Sequence, residues 1–197
     1  MIVAALITPG SEIEVTNVCL NPTRTGIIDA LQEMGAQIEI HQTGEQYGEP
    51  VGNLLVRYSR LRGTRVAGPL VVRMIDEFPA FAIAAAYSQG VTTVCQAEEL
   101  RLKESDRIGT LCSQLRMLGA VVYETPDGFV LHGKGELNGG SVAAHGDHRL
   151  AMALGVAGLA SVEPVVVRGA EAFSESFPDF DAVLRLLGAH ISLEPET

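Results

Sequence analysis

Basic residues are scarce in this chain, and lysine is the scarcest: 197 residues carry only Lys103 and Lys134 beside twelve arginines, against 24 acidic residues, for a formal charge of −10. A nucleic-acid surface needs a basic face to displace counterions from phosphates, so that class of partner is excluded. Anionic small molecules must then be held by local cations, not by the field of the whole protein. Cysteine is nearly absent too. Cys19, Cys95 and Cys112 are odd in number and widely spaced, with no Cys-x-x-Cys pair and no histidine in ligand spacing. They read as small core residues of a reducing compartment, which places the chain in the cytoplasm. No apolar run approaches the roughly 18 residues of a membrane span, and the apolar start Ile2 to Ile7 has no basic flank of the kind a secretory leader carries.

What is present is a hydrophobic, repeated chain. Its length suits one domain, and 47% of its residues are apolar, enough for a sizeable core. Leu31-x-x-Met34-Gly35-Ala36, Leu115-x-x-Leu118-Gly119-Ala120 and Leu184-x-x-Leu187-Gly188-Ala189 repeat one pattern, with Ile27, Leu111 and Phe180 one turn earlier. This i, i+4, i+7 stripe predicts three amphipathic helices, each ended by a glycine C-cap. A short strand is expected after each glycine: Gln37 to Ile40, Val121 to Glu124 and His190 to Leu193.

The order upstream repeats as well. The β-branched runs Ile13 to Thr16, Thr92 to Cys95 and Val165 to Val167 each follow a helix of small apolar residues, Val3 to Leu6, Phe81 to Tyr87 and Leu150 to Leu159. These helices have no polar face and are therefore expected to be buried. Further strands, Leu54 to Tyr58 and Gly128 to His132, complete the first two copies. The spacing is too long for a solenoid. It predicts an α/β (α+β) domain of three similar units around buried helices, at roughly 1–67, 68–140 and 141–197. Because the chain opens inside an apolar helix, it is expected to be a piece of a longer polypeptide.

Two charged stretches stand out against this framework. In Leu100-Arg101-Leu102-Lys103-Glu104-Ser105-Asp106-Arg107-Ile108, a helix capped by Ser105 brings Lys103, Glu104 and Arg107, at i, i+1 and i+4, together at its first turn. In Gly146-Asp147-His148-Arg149, Asp147 is expected to cap a helix whose first turn holds His148 and Arg149. A helix start already carries about half a positive charge, so arginine there costs stability unless an anion sits nearby. Two such placements predict a phosphate or carboxylate site. Arg57, Arg60, Arg62 and Arg65 read instead as a solvated strand edge, and Gly133 to Gly140, which lacks a P-loop pattern, as a loop between units.

Leu-Arg-Leu-Lys-Glu-Ser-Asp-Arg-Ile and Gly-Asp-His-Arg-Leu-Ala-Met-Ala closely resemble the two signature segments of the 5-enolpyruvylshikimate-3-phosphate synthase family. Asn21-Pro22-Thr23-Arg24-Thr25-Gly26, Ile75-Asp76-Glu77 and Ser176-Phe177-Pro178-Asp179-Phe180 resemble it too, in the same order. The resemblance covers essentially the whole chain but only the C-terminal half of the family's sequence. It implies a fold of two similar domains, each of three βαβαββ-like units with helices inward. The implied reaction moves the enolpyruvyl group of phosphoenolpyruvate to the 5-hydroxyl of shikimate 3-phosphate and releases phosphate. The implied partners are those two substrates and the N-terminal domain of the same enzyme, with no metal or organic cofactor, no nucleic acid and no membrane. The sister family acting on UDP-N-acetylglucosamine matches these motifs much less well.

The resemblance also implies residue roles. Asp76 holds the shikimate hydroxyls and accepts a proton, although its place before Phe78-Pro79-Ala80 also suits a helix N-cap. Glu104 donates a proton to the methylene carbon. Lys103 bridges the 5-hydroxyl and phosphoenolpyruvate, and Arg107 and Arg149 grip the carboxylate and phosphate, for which planar guanidinium forks are suited. His148 neighbours the site, and Asp147 orients Arg149. The chain departs from the family at Glu175, where many members carry a lysine that touches phosphoenolpyruvate. The competing expectation is a noncatalytic repeat domain whose motifs only stabilise helix starts.

Overall fold

The computed structural model describes residues 1–103 and 105–194. The repeat appears as three sheets, each with its own buried helix. The first unit runs α1 (Ile2–Ile7), β1 (Glu12–Cys19), α2 (Gly26–Glu33), β2 (Gln37–Gln46) and β3 (Glu49–Arg57), with an antiparallel sheet ordered β1-β3-β2. The second runs β4 (Arg65–Val66), α3 (Pro69–Arg73), α4 (Phe78–Ala86), β5 (Gln89–Val94), α5 (Arg107–Met117), β6 (Val121–Thr125) and β7 (Gly128–Lys134), ordered β4-β5-β7-β6. It draws in β4, just ahead of the 67/68 boundary. The third has β8 (Gly140–Ala143), α6 (His148–Ala157), β9 (Val165–Arg168) and α7 (Phe180–Leu186), with β8 and β9 parallel. Only the second unit shows the full βαβαββ order among the described residues.

The helices of small residues lie where their composition sends them. In α4, Phe78, Phe81, Ala82, Ile83, Ala84 and Ala85 have no exposed surface, and α4 packs against α1, α5 and α6. Alanine at the contacts lets backbones approach, while each buried phenylalanine contributes roughly 1.5–3 kcal/mol of burial. Phe78 and Phe81 meet edge to face with centroids 6.2 Å apart. The outer helices α2, α5 and α7 end as expected: Gly35, Gly119 and Gly188 take φ of 91°, 89° and 96°, left-handed values that glycine adopts without strain. No described helix is long and apolar enough to cross a membrane.

Three expectations fail for tertiary reasons. His190 to Leu193 is irregular and largely exposed, not a strand. β-propensity is realised only through pairing, and no described strand lies alongside it. Cys19 is exposed on β1, its Sγ 3.1 Å from Glu49 Oε2, whereas Cys112 is buried, which pushes its thiol up to about 11. Arg57 sits on the central strand β3, not at an edge. There it joins Glu12 on one neighbouring strand, at 2.6 Å, and Glu39 on the other, so the sheet itself supplies its counter-charges.

Candidate active site

The starts of α4, α5 and α6 converge, and each brings charged side chains to the same place. Asp76 stands in the turn before α4. It does not cap the helix, whose N-cap is Glu77, and its side chain points instead to the other two helices. Asp76 Oδ1 accepts from Arg107 Nη1 at 3.3 Å and Oδ2 from Arg149 Nη2 at 3.2 Å, while its carbonyl accepts from Arg149 Nη1 at 3.4 Å.

Asp147 is the hub behind this pair. It caps α6 as expected, with Oδ1 accepting from Arg149 N at 2.9 Å and Leu150 N at 3.2 Å. Its second oxygen accepts from Arg107 Nε at 2.8 Å and Ser105 Oγ at 3.3 Å. Burial pushes this carboxyl up, but Arg107's hydrogen bond and charge and the two backbone N–H groups outweigh it, so its pKa lies below the usual carboxylate range. Both partners are out of water, with side-chain exposures of 2% for Arg107 and 0% for Asp147. Such a buried pair adds little net stability, yet removing one partner leaves a stranded charge.

The cap of α5 corrects the expectation for Ser105. Asp106, one residue later, accepts from Gly109 N at 3.0 Å and is held by Arg101 Nη1 at 2.7 Å. A carboxylate gains more than a hydroxyl from the positive end of the helix, and Ser105 is already engaged with Asp147. Arg107 therefore opens the helix, and Lys103 lies outside it, ending a 3-10 turn over Glu98–Leu102.

The remaining expected site residues divide. Asp76, Arg107 and Arg149 come together with Asp147. Lys103 Nζ lies 3.7 Å from Glu99 Oε1, and His148 Nδ1 lies 3.6 Å from Glu175 Oε2. The position that departs from the family is thus beside the expected histidine. Glu104 lies outside the described residues.

Two further features were not anticipated. Glu77, next to Asp76, has its carboxyl pushed up by burial; Arg149 opposes this shift and the Asp76 charge adds to it. Arg149 Nε is buried and has no acceptor among the described residues, so this guanidinium retains an unused donor. Converging helix starts, two forked cations and a partly exposed carboxylate can bind an anion and handle a proton beside it. Among the described residues, no group of three or more histidine, cysteine or acidic side chains is placed to hold a metal ion.

Residues 1–184 match the family model for EPSP synthase (3-phosphoshikimate 1-carboxyvinyltransferase). The 3-phosphoshikimate 1-carboxyvinyltransferase of Desulforudis audaxviator is 50% identical over 94% of this chain and 43% of its own length. That of Geobacter sulfurreducens is 49% identical over 93% and 43%. Among solved structures, an EPSP synthase from Acinetobacter baumannii superposes with a TM-score of 0.94 at 37% identity, covering 97% of this chain and 45% of that one. The enolpyruvyl transferase NikO from Streptomyces tendae, at 18% identity and a TM-score of 0.76 over 96% of this chain and 41% of its own, shares the fold. The chain spans about two fifths of the length of the curated relatives it matches, and it belongs to the EPSP synthase family.

Proposed function

We propose that this chain is the C-terminal domain of a 3-phosphoshikimate 1-carboxyvinyltransferase, with three units near 1–67, 68–140 and 141–197, working in the cytoplasm with an N-terminal domain of the same enzyme. The observation that carries the reading is the Asp76 carboxylate held jointly by Arg107 and Arg149 where three helices start. The Asp76 contacts are long, 3.2 to 3.4 Å, and its side chain is 39% exposed. Asp76 thus occupies its arginines as a weakly held internal anion. The carboxylate and phosphate of phosphoenolpyruvate take those guanidinium forks in its place, the phosphate or carboxylate also meeting Arg149 Nε.

Displaced from Arg149, Asp76 turns to the hydroxyls of shikimate 3-phosphate. It accepts the 5-hydroxyl proton as that oxygen bonds to C2 of phosphoenolpyruvate. Glu104 delivers a proton to C3, and Lys103 lies between the two substrates. Glu104 then takes back a proton from the new methyl group as phosphate leaves C2 carrying the proton held by Asp76, which restores the double bond and returns both carboxyl groups to their starting states. Arg107 stays in place throughout, because Asp147 holds it from behind. His148, paired with Glu175, flanks the phosphoenolpyruvate end.

The test is reconstitution. The purified chain, mixed with a separately made N-terminal half, is assayed for phosphate release from phosphoenolpyruvate and shikimate 3-phosphate. Activity only in the mixture supports the reading, since closure of two halves is needed to exclude water. Activity of the chain alone, or none in a mixture whose halves associate, refutes it.

A further inference from the structure

Gln114 lies two turns along α5 from Arg107 and is only 5% exposed. A buried amide costs free energy unless its hydrogen bonds are met. Those of Gln114 are met largely in one direction. Oε1 accepts from Ala143 N at 2.9 Å, and Nε2 reaches His145 Nε2 at 3.2 Å and Ser113 Oγ at 2.9 Å. A backbone N–H can only donate, so the amide is oriented: its oxygen faces Ala143 and its nitrogen donates to His145, whose Nε2 accepts.

The residues it grips open the turn between β8 and α6. Within that turn His145 and Gly146 both take positive φ, 53° and 73°. The value suits glycine, and for histidine it is left-handed backbone that residues with a side chain adopt uncommonly, which the contact with Gln114 helps to hold. The turn closes through Asp147 N donating to Ala144 O at 3.0 Å, and it delivers the Asp147 carboxylate to Arg107 Nε and to the first amides of α6.

Arg107 and Gln114, seven residues apart in α5, lie on one helix face. Arg107 holds the end of the Ala143–Asp147 turn and Gln114 holds its beginning. A single contact would let the turn pivot, whereas two fix its rotation as well as its position. We infer that Gln114 is a positioning residue for the anion site: through this turn it sets Asp147, and through Asp147 the guanidinium of Arg107 and the helix start that carries Arg149. The inference rests on the reading of the site as the phosphoenolpyruvate pocket.

The test uses the 197-residue chain with inorganic phosphate as the probe, well below its melting temperature. Gln114→Met fills the same space without polar atoms, and Gln114→Glu keeps the acceptor for Ala143 N but loses the donor to His145. Three quantities are read: phosphate affinity by NMR titration, the Arg107 Nε–H resonance, and exchange of the Arg149 and Leu150 amides. Gln114→Met is expected to weaken phosphate binding about three- to tenfold, the effect of one or two buried hydrogen bonds. It should also shift the Arg107 resonance and speed exchange of both amides, and Gln114→Glu should recover part of each effect. A lower melting temperature with all three quantities unmoved would make Gln114 merely structural and overturn the inference. If the unaltered chain does not bind phosphate, the pocket reading loses its support, while the resonance and the exchange rates still decide Gln114. If Gln114→Met does not fold, Gln114→Glu and Gln114→Asn carry the same measurements.

Discussion

Helices α4 and α6 run side by side in the same direction, and their two ends are joined by opposite chemistry. At the C-terminal end a neutral contact links them, Tyr87 Oη donating to Ala157 O at 2.6 Å, with burial pushing the phenol above its usual range. At the N-terminal end, Asp76 before α4 meets Arg149 of α6, with Arg107 and Asp147 packed behind. The neutral joint does what stability asks and carries no charge out of water. The charged joint is the costlier way to connect two helices, because each ion must be desolvated and its neighbours held in place. Such expense at one end of an otherwise apolar helix pair sets that end apart from the other. The same contrast separates Arg107 from Arg57, whose partners Glu12 and Glu39 are solvent-exposed and worth little in water.

If the two ends differ in this way, breaking them should produce different losses. The largest is expected from Asp147→Ala, which removes the buried partner of Arg107 Nε and uncaps α6. Urea unfolding should show a loss of about 3–5 kcal/mol, the range for breaking a buried pair; a loss below about 1 kcal/mol would mean the charged end is as replaceable as a surface bridge. The pH dependence carries a sign. The folded-state pKa of Asp147 is depressed, so its contribution is complete above the pH, near 4, at which an unfolded aspartate ionises, and drains as pH falls toward the folded value. Glu77, with a raised pKa, acts oppositely, adding stability as pH falls through its folded value. Asp147→Asn should remove the share of the acid-side decline that Asp147 contributes, seen as a shallower fall of the urea midpoint below about pH 4.

Second in size is Glu104→Gln, assayed in the two-half mixture. It should keep substrate binding and lower turnover by roughly 100-fold or more, the effect of losing a general acid or base. Unchanged turnover would remove Glu104 from the chemistry. Arg149→Lys keeps the charge but loses the planar fork, and is expected to weaken phosphoenolpyruvate binding by about 1–3 kcal/mol with little change in folding stability. Calorimetric titration of the mixture checks this, and equal affinity would make Arg149 a structural charge only. The smallest effect belongs to the neutral joint. Tyr87→Phe should cost about 1 kcal/mol of stability for one hydrogen bond and leave phosphate affinity unaltered. A matching loss of phosphate binding would show that the two ends are not independent.

Much of this organisation was legible in the chain. The Gly-Ala repeats located three helix ends because a left-handed C-cap is a local property that glycine meets at low cost. Helices built of alanine, leucine and valine without a polar face had nowhere to go but the core. Asp147 was readable as a cap because its side chain needs only the amides two and three residues ahead.

Other features were not local. Ser105 and Asp106 are both competent caps, and the choice fell to Arg101 reaching back from the preceding turn and to Asp147 drawing Ser105 away from forty-two residues further on. His190 to Leu193 has the composition of a strand, but strand formation requires an edge to pair with. Lys103 and His148 carried the right charge chemistry, yet their contacts with Glu99 and Glu175 depend on how a 3-10 turn and a helix start are set in space. Gln114 gave no signal at all, since a polar residue on an amphipathic helix looks solvated until a turn from another unit packs over it.

By itself, then, the amino-acid order determined the repeat, the buried helices, the glycine caps and the placement of arginine at two helix starts, since each follows from spacing within one element. Only the tertiary structure decided that these two starts meet a third, that Asp76 stands between their arginines and that Asp147 holds one of them from behind. Those contacts span 31 to 73 residues along the chain and exist only once the core has fixed the helices against one another.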